Sequence, residues 1–566
     1  MEQPNLVKVL DVCKVAPMSH SPNSAAQTSL PLTFFDVFWL RFRPSQRLFF
    51  YEFPVPKTTL TNTILPKLKD SLSVTLQHYL PLAGNLTWPQ DSGKPIVQYN
   101  EGDALSLTVG ESEANFYHLS GNGFREAEKF HHLVPSLLAS ETRAPVMALQ
   151  VTLFPNAGFS IGYAAHHAVF DGKSITMFMH SWASICRRIS DSSLTPELTP
   201  FYDRTIVNDP SDIEKAYING WLAHNGPNNR SLKIWDSKAT PDAMLGTFQL
   251  TQANIESIKK WVKAKWQEKP AFHPSTFAIT SAYTWVCLIK TRKLTTEKVH
   301  LFISVDCRAR LEPPIPPTYF GNCITGCIID AHTNKLMEED GVALAARAIV
   351  EAIAGLEDGV LKGAKELIPN LLSIQKEGGL LISIASSPRF EVYEIDFGWR
   401  GPKKVEIVSR EKSGAISLSD SRDGNGGVEI GIVLKKHETE AFASLFAHGL
   451  KYHQVHERCI IDADTNKLME KDGFALAARA IVEAIAGLDD GVLEGAKELI
   501  PNLLSIQKEG GLLISISSSP RFEVHEIDFG WRGPTKVEIV SRENSGPICL
   551  YLCQIPKMAM VGLRLG

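Results

Sequence analysis

Apolar residues recur along the chain with two periods, one typical of strands and one typical of helices. The run VMALQVTLFPNAGFSIGYAAHH, residues 146–167, predicts two apolar strands joined by the turn-forming sequence Pro-Asn-Ala-Gly. The next run, GKSITMFMHSWASICRR, has its apolar residues at helical spacing, as do TILPKLKDSLSVTLQHYL and GVALAARAIVEAIAGLEDGV. Because strand-like and helical segments alternate through residues 1–451, the pattern predicts a mixed α/β fold.

A long segment of this pattern occurs twice. The sequence CIIDAHTNKLMEEDG, starting at Cys327, recurs as CIIDADTNKLMEKDG from Cys459, and residues 327–416 match residues 459–548 with ten differences. An offset of 132 residues is too long for a solenoid unit, which has about 20–50 residues. The segment therefore looks like a recent tandem duplication or the joining of two neighbouring gene copies.

The two copies end differently. After Gly414 the first copy continues with AISLSDSRDGNGGVEIGIVLKKHETEAFASLFAHGL, which predicts a strand, a Gly-rich turn, a second strand and a closing amphipathic helix. The second copy ends in PICLYLCQIPKMAMVGLRLG, which has neither period. We therefore expect residues 1–451 to form the complete protein and residues 452–566 to be a truncated copy, not an independent domain. That copy is expected to be poorly ordered or to compete with 327–416 for the same packing partners.

Residues 190–212 have the composition of a linker. The segment is rich in Ser, Asp, Pro and Thr and has little periodicity. It would separate an N-terminal domain, residues 1–189, from a C-terminal domain, residues 213–451. A chain of 566 residues is too long for a single hydrophobic core, so two or more domains are expected on length alone.

Charge and composition exclude several classes of function. The formal net charge of −4 gives no electrostatic footprint for nucleic acid or an anionic membrane surface, so we expect neither as a partner. The N-terminus lacks a signal-peptide pattern, and no 18 apolar residues follow one another. The nine cysteines have no disulfide-framework spacing, which suits a reducing compartment. We expect a cytoplasmic protein and a monomer.

The sequence HHAVFDG, residues 166–172, is the first candidate for chemistry. His167 lies where a predicted strand ends, and Asp171 follows in the loop before the predicted helix. Short loops between rigid elements often carry reactive groups. The alternative is a core histidine beside a turn-forming Asp-Gly, and this motif alone does not decide between the two.

Two other motifs have simpler explanations. GFSIG, residues 158–162, matches the nucleophile elbow of serine hydrolases, but that motif needs a sharp strand-to-helix turn at the serine. Here the extended run continues, so Ser160 is expected within a strand. SRDGNGGVEIG lacks the lysine of a P-loop and is better explained as a hairpin turn. No His, Cys, Asp and Glu residues have a metal-ligand spacing, so no metal is expected.

Three motifs together resemble those of the BAHD family of plant acyl-coenzyme A-dependent acyltransferases. They are HHAVFDG at 166–172, TYFGNC at 318–323 and DFGWRGP at 396–402, in that order. The resemblance covers essentially all of 1–451 and includes LPLTFFDVFWLRF, HYLPLAGNL and VDCRARL. YFGNC is typical of the subgroup that acts on anthocyanins, flavonoids and other phenolic glucosides, often with malonyl-coenzyme A.

The resemblance implies an α/β fold of two similar-sized mixed-sheet domains, like chloramphenicol acetyltransferase, with a channel between them. Acyl-coenzyme A would enter as a co-substrate from one side and the acceptor from the other, with no bound cofactor. The implied reaction moves an acyl group, malonyl being favoured, to a sugar hydroxyl of a phenolic, flavonoid or anthocyanin glucoside. The alternatives are a hydroxycinnamoyl donor on the same fold and a catalytically impaired remnant.

The resemblance also implies the residues that perform this reaction. The catalytic histidine of the family corresponds to His167. A neutral imidazole there would take the proton of the attacking hydroxyl and later return it to the leaving thiolate. The indole N–H of Trp399 is a candidate donor to the oxyanion of the tetrahedral intermediate.

Two motif carboxylates are expected to be structural. By resemblance, Asp171 points away from the channel and fixes its loop by pairing with Arg308 or Arg310 of DCRAR. Asp396 is likewise expected to lie away from the channel. Neither carboxylate is expected to touch substrate.

The remaining motif residues bear on geometry and on the acyl donor. Gly172 and Gly398 are explained by tight backbone geometry. Lys173 is a candidate cation for a malonyl carboxylate, and a solvent-facing lysine is an equal alternative.

Arg400 stands where the family has glycine. If that position takes a positive φ, arginine costs about 1 kcal/mol and is expected to shift Trp399 and reduce activity. The second copy has the same order, DFGWRGP at 528–534, which indicates inheritance.

Overall fold

The structure is a computed structural model that describes most of the chain. The chain divides into two compact units, residues 1–451 and 452–566. The described ranges are 7–18, 28–188, 193–209, 211–224, 228–233, 242–266, 273–409, 416–453, 459–463, 512–515 and 561–565.

The first unit contains strands and helices in alternation, as the hydrophobic pattern predicts. Its strands are β1 (Lys8–Val15), β2 (Thr28–Pro31), β3 (Ser45–Glu52), β4 (Asn85–Thr87), β5 (Ile96–Tyr99), β6 (Leu105–Glu111), β7 (Arg125–Glu126), β8 (Arg143–Pro145), β9 (Met147–Phe154), β10 (Gly158–Ala165), β11 (Ala243–Leu250), β12 (Lys298–Asp306), β13 (Ile324–His332), β14 (Leu381–Ala385), β15 (Lys404–Ile407), β16 (Ile416–Asp420) and β17 (Val428–Lys435). Its helices are α1 (Phe34–Phe38), α2 (Lys57–Thr59), α3 (Leu65–His78), α4 (Phe116–Leu119), α5 (Glu128–His131), α6 (Gly172–Arg188), α7 (Ile213–Ala223), α8 (Gln252–Lys265), α9 (Thr276–Arg292), α10 (Thr333–Met337), α11 (Gly341–Ala354), α12 (Leu367–Lys376) and α13 (Thr439–His453).

Two large mixed sheets organise this unit. The first has the strand order β1-β6-β9-β10-β3-β15 and the second has the order β13-β12-β14-β16-β17-β11-β7. A smaller sheet has the order β2-β5-β4-β8. The predicted α/β class with two mixed-sheet parts of similar size is therefore confirmed.

The two halves of the first unit exchange strands. β15, from the C-terminal half, pairs with β3, and β7, from the N-terminal half, pairs with β11. A buried ion pair joins the two exchanged strands, with 2.8 Å between Arg125 Nη2 and Glu406 Oε1. The predicted division into 1–189 and 213–451 therefore needs a correction, because each sheet takes one strand from the other half.

The predicted linker, residues 190–212, also takes part in the packing where the structure describes it. Phe201 forms a parallel bridge with Tyr319. Arg204 is buried and donates to the Asp36 carboxylate, with 2.9 Å between nitrogen and oxygen. A segment with a buried ion pair at its middle is a structural connection and not a free spacer.

The local elements expected around residue 167 are confirmed. The run 146–167 contains β9 and β10, which pair antiparallel along their full length. The turn between them includes Asn156 at φ 63°, a left-handed conformation that asparagine tolerates. Ser160 lies within β10, as expected, and not at a nucleophile elbow. β10 is central in its sheet, and α6 follows it and packs against α3, so the loop between β10 and α6 is held at both ends.

The second unit contains a small sheet with the order β18-β20-β19, where β18 is Cys459–Ala463, β19 is Leu512–Ser515 and β20 is Val561–Leu565. β18 and β19 repeat the sequences of 327–331 and 380–383. Contrary to expectation, the non-periodic ending contributes a strand, β20, which runs parallel to β18 and antiparallel to β19. The rest of the repeat lies outside the described residues.

Candidate active site

The loop between β10 and α6 is short and closed by hydrogen bonds. The N–H of Val169 donates to the His166 carbonyl at 3.1 Å, which closes a turn directly after the strand. Asp171 then caps α6, because its Oδ1 accepts from the N–H of Ser174 at 2.9 Å. A carboxylate at this position also interacts favourably with the positive end of the helix dipole. The sequence Asp-Gly therefore starts the helix and holds His167 in the turn before it.

His167 is half-buried, and its surroundings favour a neutral ring. Nδ1 is buried and has no hydrogen-bond partner on another residue. Burial lowers the pKa of His167 from 6.5 to about 4, and its own carbonyl and the Asp171 charge oppose this only in part. The imidazole is therefore uncharged at neutral pH, which is the state that can accept a proton.

Asp171 forms a buried ion pair with Arg308, with 2.8 Å between Oδ2 and Nη1. The same Oδ2 accepts from the N–H of Cys323 at 3.1 Å. Burial raises the pKa of Asp171, but the Arg308 charge together with the N–H groups of Ser174 and Cys323 lowers it below its ordinary value. Of the two arginines considered, Arg308 is therefore the partner, whereas Arg310 is exposed. Asp171 therefore stabilises the loop through Ser174, Cys323 and Arg308.

The YFGNC segment fastens this loop to the second large sheet. Arg308 donates to the carbonyls of Tyr319 and Gly321 at 3.1 and 3.2 Å. Ser174, in the first turn of α6, donates to the same two carbonyls. Gly321 is required sterically, because a Cβ there would lie 2.2 Å from Nη1 of Arg204. The motif is thus explained by close backbone packing against α6.

Asn322 links the histidine loop to helix α1. Its Nδ2 donates to the His167 carbonyl at 2.9 Å and to Asp36 Oδ1 at 3.0 Å. Asp36 is fully buried and also accepts from Thr33 and Arg204. The backbone of His167 is therefore fixed to the buried start of α1 through one amide side chain.

Sequence reasoning did not assign a role to Asp36, Asn322 or Trp39. Trp39 follows α1 directly, and its indole stacks on the His167 ring with 4.0 Å between centroids and 15° between planes. The signal that could have found them is in LTFFDVFW, where a lone acidic residue stands within an apolar run. A buried carboxylate needs partners, and these partners lie beside His167.

Trp399 does not lie beside His167, and the prediction that it donates to the oxyanion is wrong. Its ring contacts Phe159, with 5.8 Å between centroids, at the start of β10. His167 follows the other end of that strand, and six residues of extended chain span about 20 Å. The Cγ of Arg187, in the last turn of α6, lies 3.5 Å from where a Cβ on Gly398 would stand, whereas His167 precedes the first turn. Both elements therefore place Trp399 at the far end of the N-terminal sheet.

The DFGWRGP segment is a tight turn built by Asp396. Its Oδ1 accepts from the N–H groups of Gly398 and Trp399 at 2.7 and 3.0 Å, consistent with a structural role. Gly398 has φ 101°, and Arg400 has φ 75°, so the substituted position does adopt the left-handed conformation. Gly401 is required for another reason, since a Cβ there would lie 2.1 Å from the Tyr393 carbonyl oxygen.

Gly172 and Lys173 begin α6. A Cβ on Gly172 would lie 2.8 Å from the ring of Phe390, so close packing requires glycine there. Lys173 is partly exposed, and its Nζ lies 3.6 Å from Asp306 Oδ2, where it remains accessible to solvent.

Among the described residues, no group of three or more His, Cys, Asp or Glu could hold a metal ion, and no helix is long and apolar enough to cross a membrane.

Solved structures of low sequence identity share this fold. Vinorine synthase matches with a TM-score of 0.59 and 20% identity, covering 78% of this chain and 98% of that chain. TRI101 of F. sporotrichioides, complexed with coenzyme A and T-2, matches with a TM-score of 0.55 and 16% identity, covering 73% and 96%. At these identities the likeness supports the fold alone.

Sequence comparisons give the family. Residues 7–448 match the Transferase family. The chain is 41% identical over 450 residues to phenolic glucoside malonyltransferase 2 of Arabidopsis thaliana, covering 78% of this chain and 99% of the relative. It is 42% identical over 454 residues to malonyl-CoA:anthocyanidin 5-O-glucoside-6''-O-malonyltransferase of the same plant, covering 79% and 98%. The chain therefore belongs to the Transferase family of BAHD acyltransferases and is an acyl-CoA-dependent acyltransferase.

Proposed function

We propose that this protein transfers a malonyl group from malonyl-coenzyme A to a sugar hydroxyl of a phenolic or flavonoid glucoside, with His167 as the general base. The substrate classes are those in the names of relatives that are 41–42% identical over nearly their whole length. The observation that carries the mechanism is the His167 imidazole, whose pKa is lowered to about 4 and which is therefore neutral at physiological pH.

The proposed reaction needs one base that later acts as an acid. Because Nδ1 of His167 is buried, Nε2 is the nitrogen that can receive the proton of the sugar hydroxyl. The hydroxyl oxygen then bonds to the thioester carbon, and the carbonyl electrons move to its oxygen. When the intermediate collapses, the carbon–sulfur bond breaks and the leaving thiolate takes the proton back from Nε2. No acyl-enzyme forms, and the histidine ends the cycle neutral.

Asp171 and Arg308 serve this reaction indirectly. Their buried pair fixes the loop, and Asn322 fixes the His167 carbonyl, so the imidazole is oriented before substrate binds. Orientation of this kind lowers the activation free energy, because less conformational freedom is lost on reaching the transition state. Asp171 and Arg308 are therefore proposed as positioning residues.

Lys173 is proposed as the cation for the malonyl carboxylate. It follows Asp171 by two positions, at the first turn of α6, and remains partly exposed beside Asp306. Lys173→Gln is expected to raise KM for malonyl-coenzyme A about fivefold and to leave KM for acetyl-coenzyme A within about twofold, since one exposed charge pair contributes about 1 kcal/mol. Equal changes for both donors would remove Lys173 from this role.

The alternative of a disabled remnant rests on Arg400 beside Trp399 and on the repeated segment at 452–566. Trp399 lies at the far end of β10, so a shift of its indole does not reach His167 directly. The hydroxycinnamoyl alternative shares the His167 chemistry and differs only in the acyl pocket. A comparison of donors therefore separates the two transferase functions, and turnover that depends on His167 separates both from a remnant.

The test is coenzyme A release by the full chain, given malonyl- or coumaroyl-coenzyme A with a panel of phenolic and flavonoid glucosides. We expect turnover with malonyl-coenzyme A, and a loss of about 10²–10⁴-fold in His167→Ala, the range for removal of a general base. Preference for coumaroyl-coenzyme A would assign the alternative donor. A folded protein without turnover on any donor would contradict the proposed function.

A further inference from the structure

Trp39 places an unsatisfied hydrogen-bond donor beside His167. Its side chain is 6% exposed, and its Nε1 is buried with no acceptor. Leaving a buried N–H without a partner costs about 1–3 kcal/mol, so such a group in a native structure needs an explanation. A hydrogen-bond acceptor that arrives with a substrate would satisfy this group.

The indole is held firmly in this position. The rings of Phe38 and Phe42 meet it edge-on, each with 4.8 Å between centroids. Its backbone N–H donates to the Asp36 carbonyl at 3.1 Å, and Asp36 is joined through Asn322 to the His167 carbonyl. The indole and the imidazole are therefore fixed relative to one another, which is what a preorganised donor requires.

We propose that Trp39 is a second catalytic residue of the acyl transfer proposed above, and the inference rests on that function. The indole N–H donates to the carbonyl oxygen of the thioester as negative charge develops there. The ring face of Trp39 also stabilises the imidazolium that forms on His167, since a cation over an aromatic face is attracted to it. The indole keeps its own proton throughout, so the bonds formed and broken are those of the transfer itself.

The stacked geometry fits this division of roles. A hydroxyl that gives its proton to His167 lies near the imidazole plane and attacks the carbonyl through its face. The carbonyl oxygen then lies above or below the imidazole plane. The indole of Trp39 stacks on one face of the imidazole, with 4.0 Å between the ring centroids. A donor in the neighbouring plane can therefore reach the oxygen without displacing the imidazole.

Other polar groups close to His167 do not provide this donor. Both contacts of Asn322 Nδ2 are already made, to Asp36 and to the His167 carbonyl. Trp399 lies at the far end of β10.

The test replaces Trp39 with Phe, which keeps an aromatic face and removes the N–H. We expect kcat to fall about 10²-fold or more, as for loss of one oxyanion donor, with KM for malonyl-coenzyme A within about threefold. The unfolding midpoint should fall only by as much as the smaller Phe ring costs in lost packing, because the N–H removed has no partner. The matched control is Trp285→Phe, which removes another buried, unpaired indole N–H from α9 and should keep wild-type kcat.

Each outcome of this test is decisive. If Trp39→Phe keeps kcat within threefold of wild type, the N–H is not the donor. If kcat falls in Trp39→Phe and its unfolding midpoint falls well below that of Trp285→Phe, the role is packing. An inactive but folded wild type would contradict the proposed function itself, whereas an active wild type that depends on His167 but not on Trp39 would overturn only this inference.

Discussion

The HHAVFDG loop and the DFGWRGP segment are equally easy to find in the sequence, but they stand at opposite ends of β10 and α6. The first has a buried ion pair, a neutral histidine and a stacked indole. The second is a turn in which Asp396 accepts two backbone N–H groups and a tryptophan packs on Phe159. A recognisable motif therefore marks either chemistry or a backbone constraint, and only the fold distinguishes them.

The largest expected effect is on the buried ion pair of the first region. Arg308→Ala leaves Asp171 charged and buried without its partner, which should lower the free energy of unfolding by about 3–5 kcal/mol. Urea titration measures this. Arg310→Ala is the control, because that exposed arginine should change stability by less than about 0.5 kcal/mol. Similar losses in both variants would contradict the assignment of Arg308.

The histidine loop should also determine the pH dependence of turnover. Since burial lowers the pKa of His167 to about 4, the imidazole stays neutral well below pH 6.5. We expect kcat/KM to remain on its plateau as pH falls from 7 to about 5, and then to decline as the imidazole becomes protonated and can no longer accept a proton. An acid limb with its midpoint at or above pH 6.5 would contradict a desolvated base.

Substitutions in the DFGWRGP segment should change the stability of the protein and leave its turnover unchanged. Arg400→Gly removes a side chain from a residue at φ 75° and should raise the free energy of unfolding by about 1 kcal/mol with kcat unchanged. Gly401→Ala should do the opposite, since its Cβ would meet the Tyr393 carbonyl oxygen at 2.1 Å. A several-fold gain in kcat for Arg400→Gly would show that this segment does reach the reacting groups.

The smallest expected effect is that of Trp399→Phe, which compares the two ends of β10 most directly. Trp399→Phe should keep kcat within about threefold of wild type, because its indole lies about 20 Å of strand away from His167. The same change at Trp39 should lower kcat about a hundredfold. The ratio of the two variants, measured by coenzyme A release, compares the two ends of β10. Equal losses would contradict the placement of the reacting groups beside Trp39.

The sequence was sufficient where the signal is local. The alternating run at 146–167 and the helical spacing after Gly172 predicted β9, β10 and α6, and hence a histidine held between a strand and a helix. The steric need for glycine at 172 did not follow in this way, because the atom that a Cβ would meet belongs to Phe390, a residue distant in sequence. The sequence could not decide between Arg308 and Arg310, because both arginines of DCRAR carry the same charge. Only their burial in the fold distinguishes them.

By itself, the sequence determined the α/β class, the repeat of 327–416 and the acyltransferase family, and it identified His167 as the candidate base. The tertiary structure decided which distant residues meet: β15 joins the first large sheet, Asn322 connects Asp36 with His167, Trp39 stacks on the imidazole, and Trp399 does not. The physical reason is the distance along the chain over which each kind of interaction acts. Periodicity and turn chemistry act over a few residues, whereas the partners of a buried charge or ring are chosen by sheet order and packing across hundreds of residues.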